Sequence, residues 1–226
     1  RGLGDVYKRQ VQYHVDELDL KERKAYIRRV NVNYYTDSDL AVQLDVLESD
    51  RRSALPAYRA QRDFGDVSVR ALPTVFKKIR FETLENIGWG HIHLPEMEMH
   101  TNATWVSFSE DWIGRFGKDV FQGALVGLSH LLRHAAPLFV MCDRADLSVV
   151  PKIKAPYNGQ PTVFIYDKYP GGIGLSRKLY EAMPALLEKV REMTETCPCE
   201  SGCPSCIGPV SEGKAAKQAL LRLLKG

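Results

Sequence analysis

Along the first half of the chain, apolar and polar positions follow a two-residue period. Val11 to Leu18 alternates, and Ala25 to Tyr35 is rich in β-branched and aromatic residues, so both segments predict strands with Asp19 to Lys24 as a charged turn between them. Leu40 to Leu47 predicts a third strand. Asp66 to Leu72 and Val75 to Phe81 predict a strand pair separated by Pro73 and Thr74. Gly88 to Leu94 and Glu96 to Trp105 alternate about Pro95, as a hairpin would, with Trp89, His91 and His93 on one face. The pattern is that of a small antiparallel sheet or barrel.

The second half changes period. Between Asp119 and Leu138, Phe121, Leu125, Leu128, Leu132 and Ala135 recur at helical spacing, and Gly123 and Gly127 lie one turn apart, which permits close packing. Thr162 to Tyr166 is a short apolar strand of the kind buried on both faces. It leads through Asp167 and a Pro170-Gly171-Gly172 turn into a helix whose seam is Leu175, Leu179, Ala182, Leu186, Val190 and Met193, with Pro184 expected to kink or split it. Ala216, Leu220 and Leu223 predict a last amphipathic helix from about Gly213, with Ser211 as its N-cap. The expected fold class is α+β: an antiparallel β subdomain over residues 11–110, then an α/β domain over residues 111–226.

Composition adds little. With 226 residues, 44% hydrophobic and 26% charged, the chain reads as an ordinary globular protein. No segment approaches the ~18 consecutive apolar residues of a membrane-spanning helix. Arg1 to Gln10 lacks an apolar secretory core, so the expected compartment is the cytoplasm, with no membrane partner. RGLGDVYKRQ resembles translated adapter read-through, and the chain starts at Arg1 rather than Met; the natural protein is expected to continue upstream.

Charge is uneven. Arg51, Arg52, Arg59, Arg62, Arg70, Lys77, Lys78 and Arg80 face only Asp63 and Asp66 between residues 51 and 80, a local net charge of +6 against +3 for the whole chain. Such a run suits phosphate contacts as well as it suits a solvated face.

Chemistry concentrates at Cys197, Cys199, Cys203 and Cys206, four of five cysteines within ten residues. Tetrahedral zinc takes four thiolates, Cys203-x-x-Cys206 has a spacer that lets both sulfurs meet one ion, and Gly202 permits a positive φ just before it. An iron–sulfur cluster also accepts four thiolates. Thiol redox chemistry would leave Cys197 and Cys199 idle, and a disulfide framework does not suit a reducing compartment. The expected cofactor is therefore one structural zinc ion, with Cys142 as buried filler.

These residues carry a family resemblance. CPCESGCPSCIGP, preceded by IYDKYPGGIGLSRKLYE, resembles the C-terminal zinc-binding domain of MrfA-type DEAD/DEAH-box helicases, superfamily 2 DNA translocases associated with DNA repair. YHVDELDLKERKAYIRRVNVNYYT, KKIRFETLENIGWGHIHLP and LSHLLRHAAPLFVMCDRADL extend the likeness over nearly all of Val11 to Leu224. The resemblance implies zinc on the four cysteines, DNA, single-stranded, as a partner, and helicase motor domains in the same polypeptide that carry ATP and Mg2+. No G-x-x-x-x-G-K-[ST] string and no Asp-Glu box occurs here, so no ATP hydrolysis, and no catalytic residue, is expected of this chain itself. Arg70, Lys77, Lys78 and Arg80, with Phe76 and Phe81 between and beside them, are the candidate nucleic-acid contacts. The residues also admit two other functions: a divergent metal-dependent hydrolase or nuclease centred on Asp167 with His130, Asp143 and Asp146, and a protein-interaction platform. His91, His93, Glu98 and His100 read as an exposed polar sheet face rather than a metal site.

Overall fold

The computed structural model describes residues 6–8, 11–208, 210 and 212–226. The reading of the first ten residues falls largely outside the described residues, and the Ser211 cap falls wholly outside them. The chain forms two compact units, residues 1–43 with 70–98, and residues 44–69 with 99–226. The four cysteines therefore share a unit with residues 44–69.

In the first unit, β1 (Val6–Lys8), β2 (Val11–Asp19) and β3 (Lys24–Val30) form an antiparallel sheet in that order. The charged turn is closed by Asp19, whose Oδ1 accepts the backbone N–H groups of Lys21 and Glu22 at 2.9 Å each. Asn31 to Asn33 break the predicted Ala25–Tyr35 strand, and β4 (Tyr34–Leu55) starts after them, absorbing the third predicted strand.

The predicted hairpin at Pro73-Thr74 is instead one continuous strand, β5 (Ala60–Arg80). A two-residue hairpin turn needs positive φ, which Pro is barred from and Thr resists, so the chain runs on extended. Its real hairpin partner is β6 (Asn86–His91), with Lys77 opposite Trp89 and Phe76 opposite Gly90. The predicted hairpin about Pro95 is thereby replaced: β6 pairs with β5, while β7 (Met97–Phe108) pairs with β5 and β9.

The second unit is built on a sheet of order β4-β5-β7-β9-β8, where β8 is Leu147–Lys152 and β9 is Thr162–Asp167. β9 is buried along its whole length, as its apolar run predicts, but both its neighbours are antiparallel. Its odd-numbered side chains, Val163 and Ile165, join Val106 and Phe108 of β7 in the core packed by helices. Phe164 faces the other way and packs against Trp105, which Tyr157 covers edge-on. Among the described residues, four α-helices complete the unit: α1 (Asp111–Phe116), α2 (Lys118–Val140), α3 (Leu175–Thr196) and α4 (Gly213–Leu223). Sequence periodicity did not indicate the short α1, nor β8.

Pro184 does not split α3, which continues from Leu175 to Thr196. Proline lacks the N–H that would bond the carbonyl four residues back, at Tyr180. Arg62 supplies the missing donor: its Nη1 bonds the Tyr180 carbonyl at 2.6 Å, with its guanidinium 4.7 Å from the centre of the Tyr180 ring. One member of the basic run is thus committed to holding a helix together.

Candidate metal centre

α3 ends at Thr196, and Cys197 leaves it with an extended backbone, φ −70° and ψ 120°. Cys199 follows, and Gly202, at φ +91°, turns the chain back toward Cys203. The return loop is a tight knuckle in which the N–H groups of Cys206 and Gly208 both bond the Cys203 carbonyl, at 3.1 and 3.0 Å. All four Sγ atoms lie within 4.8 Å of one another. The close pairs are Cys197–Cys199 at 3.5 Å, Cys197–Cys203 at 3.6 Å, Cys199–Cys206 at 3.3 Å and Cys203–Cys206 at 3.6 Å. Disulfide sulfurs would sit near 2.05 Å. Four thiolates around zinc at about 2.3 Å define tetrahedral edges of roughly 3.8 Å, so the cage has the size the ion needs.

The surroundings hold that cage open. Ile207, fully buried, is wedged between Gly202 and α2. A Cβ on Gly202 would come within 2.5 Å of the Ile207 side chain, and one on Gly127 within 2.8 Å, so the close packing that Gly127 permits is realised against the knuckle. From α2, His130 Nε2 bonds the Pro204 carbonyl at 2.7 Å. From α4, Lys217, only 6% exposed, places Nζ 3.0 Å from the Cys197 carbonyl, 2.6 Å from the Cys199 carbonyl and 3.3 Å from Cys199 Sγ.

The thiols feel these neighbours unequally. Burial pushes Cys199 up, but hydrogen bonds with Cys206, Cys197, Lys217 and Cys203 outweigh it and bring the thiol down to about 6. Burial dominates at Cys206 and pushes it up to about 12. Cys203 is lowered by its bond to Cys197 and by the backbone N–H groups of Ser205 and Cys206. A cation among the sulfurs is what lets all four be thiolates together.

The other candidates scatter. Among the described residues, only the four cysteines group as a metal site; His91, His93, Glu98 and His100 do not. Cys142 stands apart from the cage, its thiol pushed up by burial and by Asp146, Asp143 and Asp167. Asp167 is fully buried, and its carboxylate is used up as a helix cap: it accepts the N–H groups of Ile173 at 2.8 Å, Leu175 at 3.2 Å and Ser176 at 2.8 Å, and the Ser176 hydroxyl. Asp143 and Asp146 cap a turn, Asp146 also accepting the Tyr169 hydroxyl, and His130 on α2 is engaged with the Pro204 carbonyl of the cysteine loop. No hydrolytic constellation converges there among the described residues. Asp167 is a helix cap, and among the described residues the nuclease alternative has no site.

Of the basic run, Arg51 pairs with Glu181, and Arg52 with the buried Asp63, in the second unit. In the first unit Lys77 pairs with Asp39 at 2.8 Å and Arg80 with Glu85 at 3.7 Å, while Lys78 lies 5.3 Å from the Tyr34 ring centre. Arg70 is on β5. Phe76 packs over Gly90 and Phe81 against Tyr35. Two residues carry little signal in the sequence: Trp89, 66% exposed beside Lys77, shows there only as one position on an alternating strand face, and Lys217 is indistinguishable there from a surface lysine of an amphipathic helix.

Residues 128–207, from α2 through the knuckle, match the family model of the MrfA Zn-binding domain. An uncharacterized protein of Methanocaldococcus jannaschii, MJ1572.1, is 32% identical over 83 residues, which span 35% of this chain and 74% of that protein. The chain belongs to the MrfA Zn-binding domain family. The likeness to longer proteins is wider: the uncharacterized ATP-dependent helicase YprA of Bacillus subtilis is 48% identical over 95% of this chain and 28% of its own length. ATP-dependent helicase HRQ1 of Saccharomyces cerevisiae is 25% identical over 86% of the chain and 19% of its length. The crystal structure of the DUF1998 helicase MrfA bound to DNA superposes with a TM-score of 0.72 at 45% identity, covering 99% of this chain and 30% of that one. The chain spans less than a third of the helicases it matches. Family membership and cage geometry agree on zinc as the cofactor.

Proposed function

We propose that the chain is the zinc-binding accessory module of an ATP-dependent DNA helicase that works in DNA repair in the cytoplasm. One zinc ion, held by Cys197, Cys199, Cys203 and Cys206, ties the end of α3, the knuckle and α4 into one body. A closed four-sulfur site has no open coordination position for a substrate, so its work is mechanical. The module itself hydrolyses nothing; ATP and Mg2+ belong to motor domains of the same polypeptide. The observation that carries this reading is the 48% identity with a helicase across 95% of the chain.

The module also helps hold a DNA strand, preferring single strands. In the first unit, Lys77 and the exposed Trp89 face each other across the β5–β6 pair, a cation beside a stacking surface. The ion pairs of Lys77 and Arg80 are solvent-exposed and worth at most about 1 kcal/mol each, so phosphates exchange for Asp39 and Glu85 at little cost. Titrating the purified chain into labelled single- and double-stranded oligonucleotides by fluorescence anisotropy tests this. Weak binding that falls steeply with salt and favours the single strand is expected; no binding at low salt would refute the strand-holding role.

A further inference from the structure

We infer that Lys217 is the charge-compensating and positioning residue of the zinc centre, an inference that rests on zinc being bound by the four cysteines. Zinc with four thiolates carries a net charge of −2, a costly charge to hold at the edge of a hydrophobic core. Cys206 and Ile207 are fully buried there, and the other three cysteines pack against the same core. A side chain that brings a positive charge into this place must itself be satisfied.

Lys217 meets both requirements. An ammonium has three N–H donors, and Lys217 has three acceptors in reach: the carbonyls of Cys197 and Cys199 and the Cys199 sulfur. Two of these are the backbone carbonyls just beyond the C-terminal end of α3, the negative pole of that helix. The lysine therefore fixes the backbone that presents Cys197 and Cys199 and, through the same atom, puts its charge on one of the two sulfurs. Cys203 and Cys206 are served differently: backbone N–H groups of the knuckle reach both. The cage thus has two kinds of support. The knuckle orients its own pair, and α4 orients the pair contributed by α3.

Arginine is a poor substitute, because its planar fork does not match three converging acceptors around one nitrogen. Methionine keeps the stem and removes all donors and the charge. Glutamine removes the charge and one of the three donors, keeping two donors for the carbonyls on a stem one atom shorter.

The test uses the full 226-residue chain, as wild type, Lys217→Met and Lys217→Gln, loaded with zinc or with cobalt(II). Zinc release to a chromogenic chelator should be about tenfold faster or more in both variants, in line with the usual effect of removing a partner of a metal ligand. The sulfur-to-cobalt charge-transfer band should move to lower energy in both, because a thiolate without its neighbouring cation gives up electron density more easily. Wild-type release rates and an unmoved band in Lys217→Gln would overturn charge compensation, and a lower melting temperature with an unmoved band would reduce Lys217 to a tether between α4 and the loop. If Lys217→Met fails to fold, Lys217→Gln alone decides. Absence of zinc from the wild type would instead refute the metal reading itself, before either variant is compared.

Discussion

Replacing Asp167 by alanine separates a cap from a catalyst. In the structure its carboxylate accepts three backbone N–H groups and one hydroxyl at the start of α3, and it is fully buried. The substitution leaves the N–H groups of Leu175 and Ser176 without acceptors among buried residues, and each orphaned donor costs about 1–3 kcal/mol. Loss of the negative charge at the helix N-terminus adds up to about 1 kcal/mol. The expected destabilisation is therefore about 3–5 kcal/mol. For a chain of this size about 1 kcal/mol corresponds to roughly 2–4 °C, so the melting temperature should fall by about 10 °C. Differential scanning calorimetry of zinc-loaded protein reads this directly, with zinc content measured alongside and expected to stay at one per chain. A variant that melted within about 2 °C of wild type would show that the four hydrogen bonds do not hold the helix, and would return Asp167 to the list of chemical groups.

Cys203→Ser should lower zinc content and melting temperature together, since metal binding contributes directly to folding free energy; plasma emission analysis and calorimetry measure the two. Gly127→Val should destabilise by about 1–3 kcal/mol, because its Cβ would already overlap Ile207, and a chemical denaturation midpoint unchanged from wild type would contradict that packing. Arg62→Met should cost about 1–3 kcal/mol by orphaning the Tyr180 carbonyl, with faster amide exchange around Pro184 in α3 as the local signature. Lys77→Glu with Lys78→Glu should weaken DNA binding about equally for all sequences and flatten the salt slope by roughly two units, whereas Trp89→Ala should cost about 1–3 kcal/mol on single strands only; equal anisotropy curves for either variant and wild type would refute its part.

The cysteine cage was legible because its geometry is local: two short spacers and one glycine decide whether four sulfurs can meet. The helices α2, α3 and α4 and the strand β9 were legible for a similar reason, each carrying its own apolar period. What failed to show depended on distant partners. Pro184 looks like a helix breaker until Arg62, 122 positions earlier, is seen to serve the carbonyl it frees. Pro73-Thr74 looks like a turn until β5 is seen paired on both sides of it. Lys217 lies on the polar-looking side of an amphipathic helix, and only the path of the cysteine loop turns that position inward. The basic run suffered most, since linear charge density cannot tell Arg62, which bonds a helix carbonyl and lies over the Tyr180 ring, from Lys78, which lies over the Tyr34 ring.

The interleaving of the two compact units has a practical meaning for anyone wishing to excise the zinc domain. The chain crosses between them at residues 43/44, 69/70 and 98/99, each time inside a continuous strand. Residues 70–98 are thus an insertion between two stretches of the second unit, and the family match over residues 128–207 leaves out β4, β5, β7 and α4. A piece cut to that match would lose Lys217, leave β9 without its β7 neighbour and expose Phe164, whose cover is Trp105. A piece able to fold must start near Leu44, run to the last helix, and replace the insertion by a short linker between Val69 and Met99. Gene fusions and recombination inside this region would be constrained by the same arithmetic, because a breakpoint between residues 44 and 99 severs a strand partner from the sulfur cage even when every cysteine is kept.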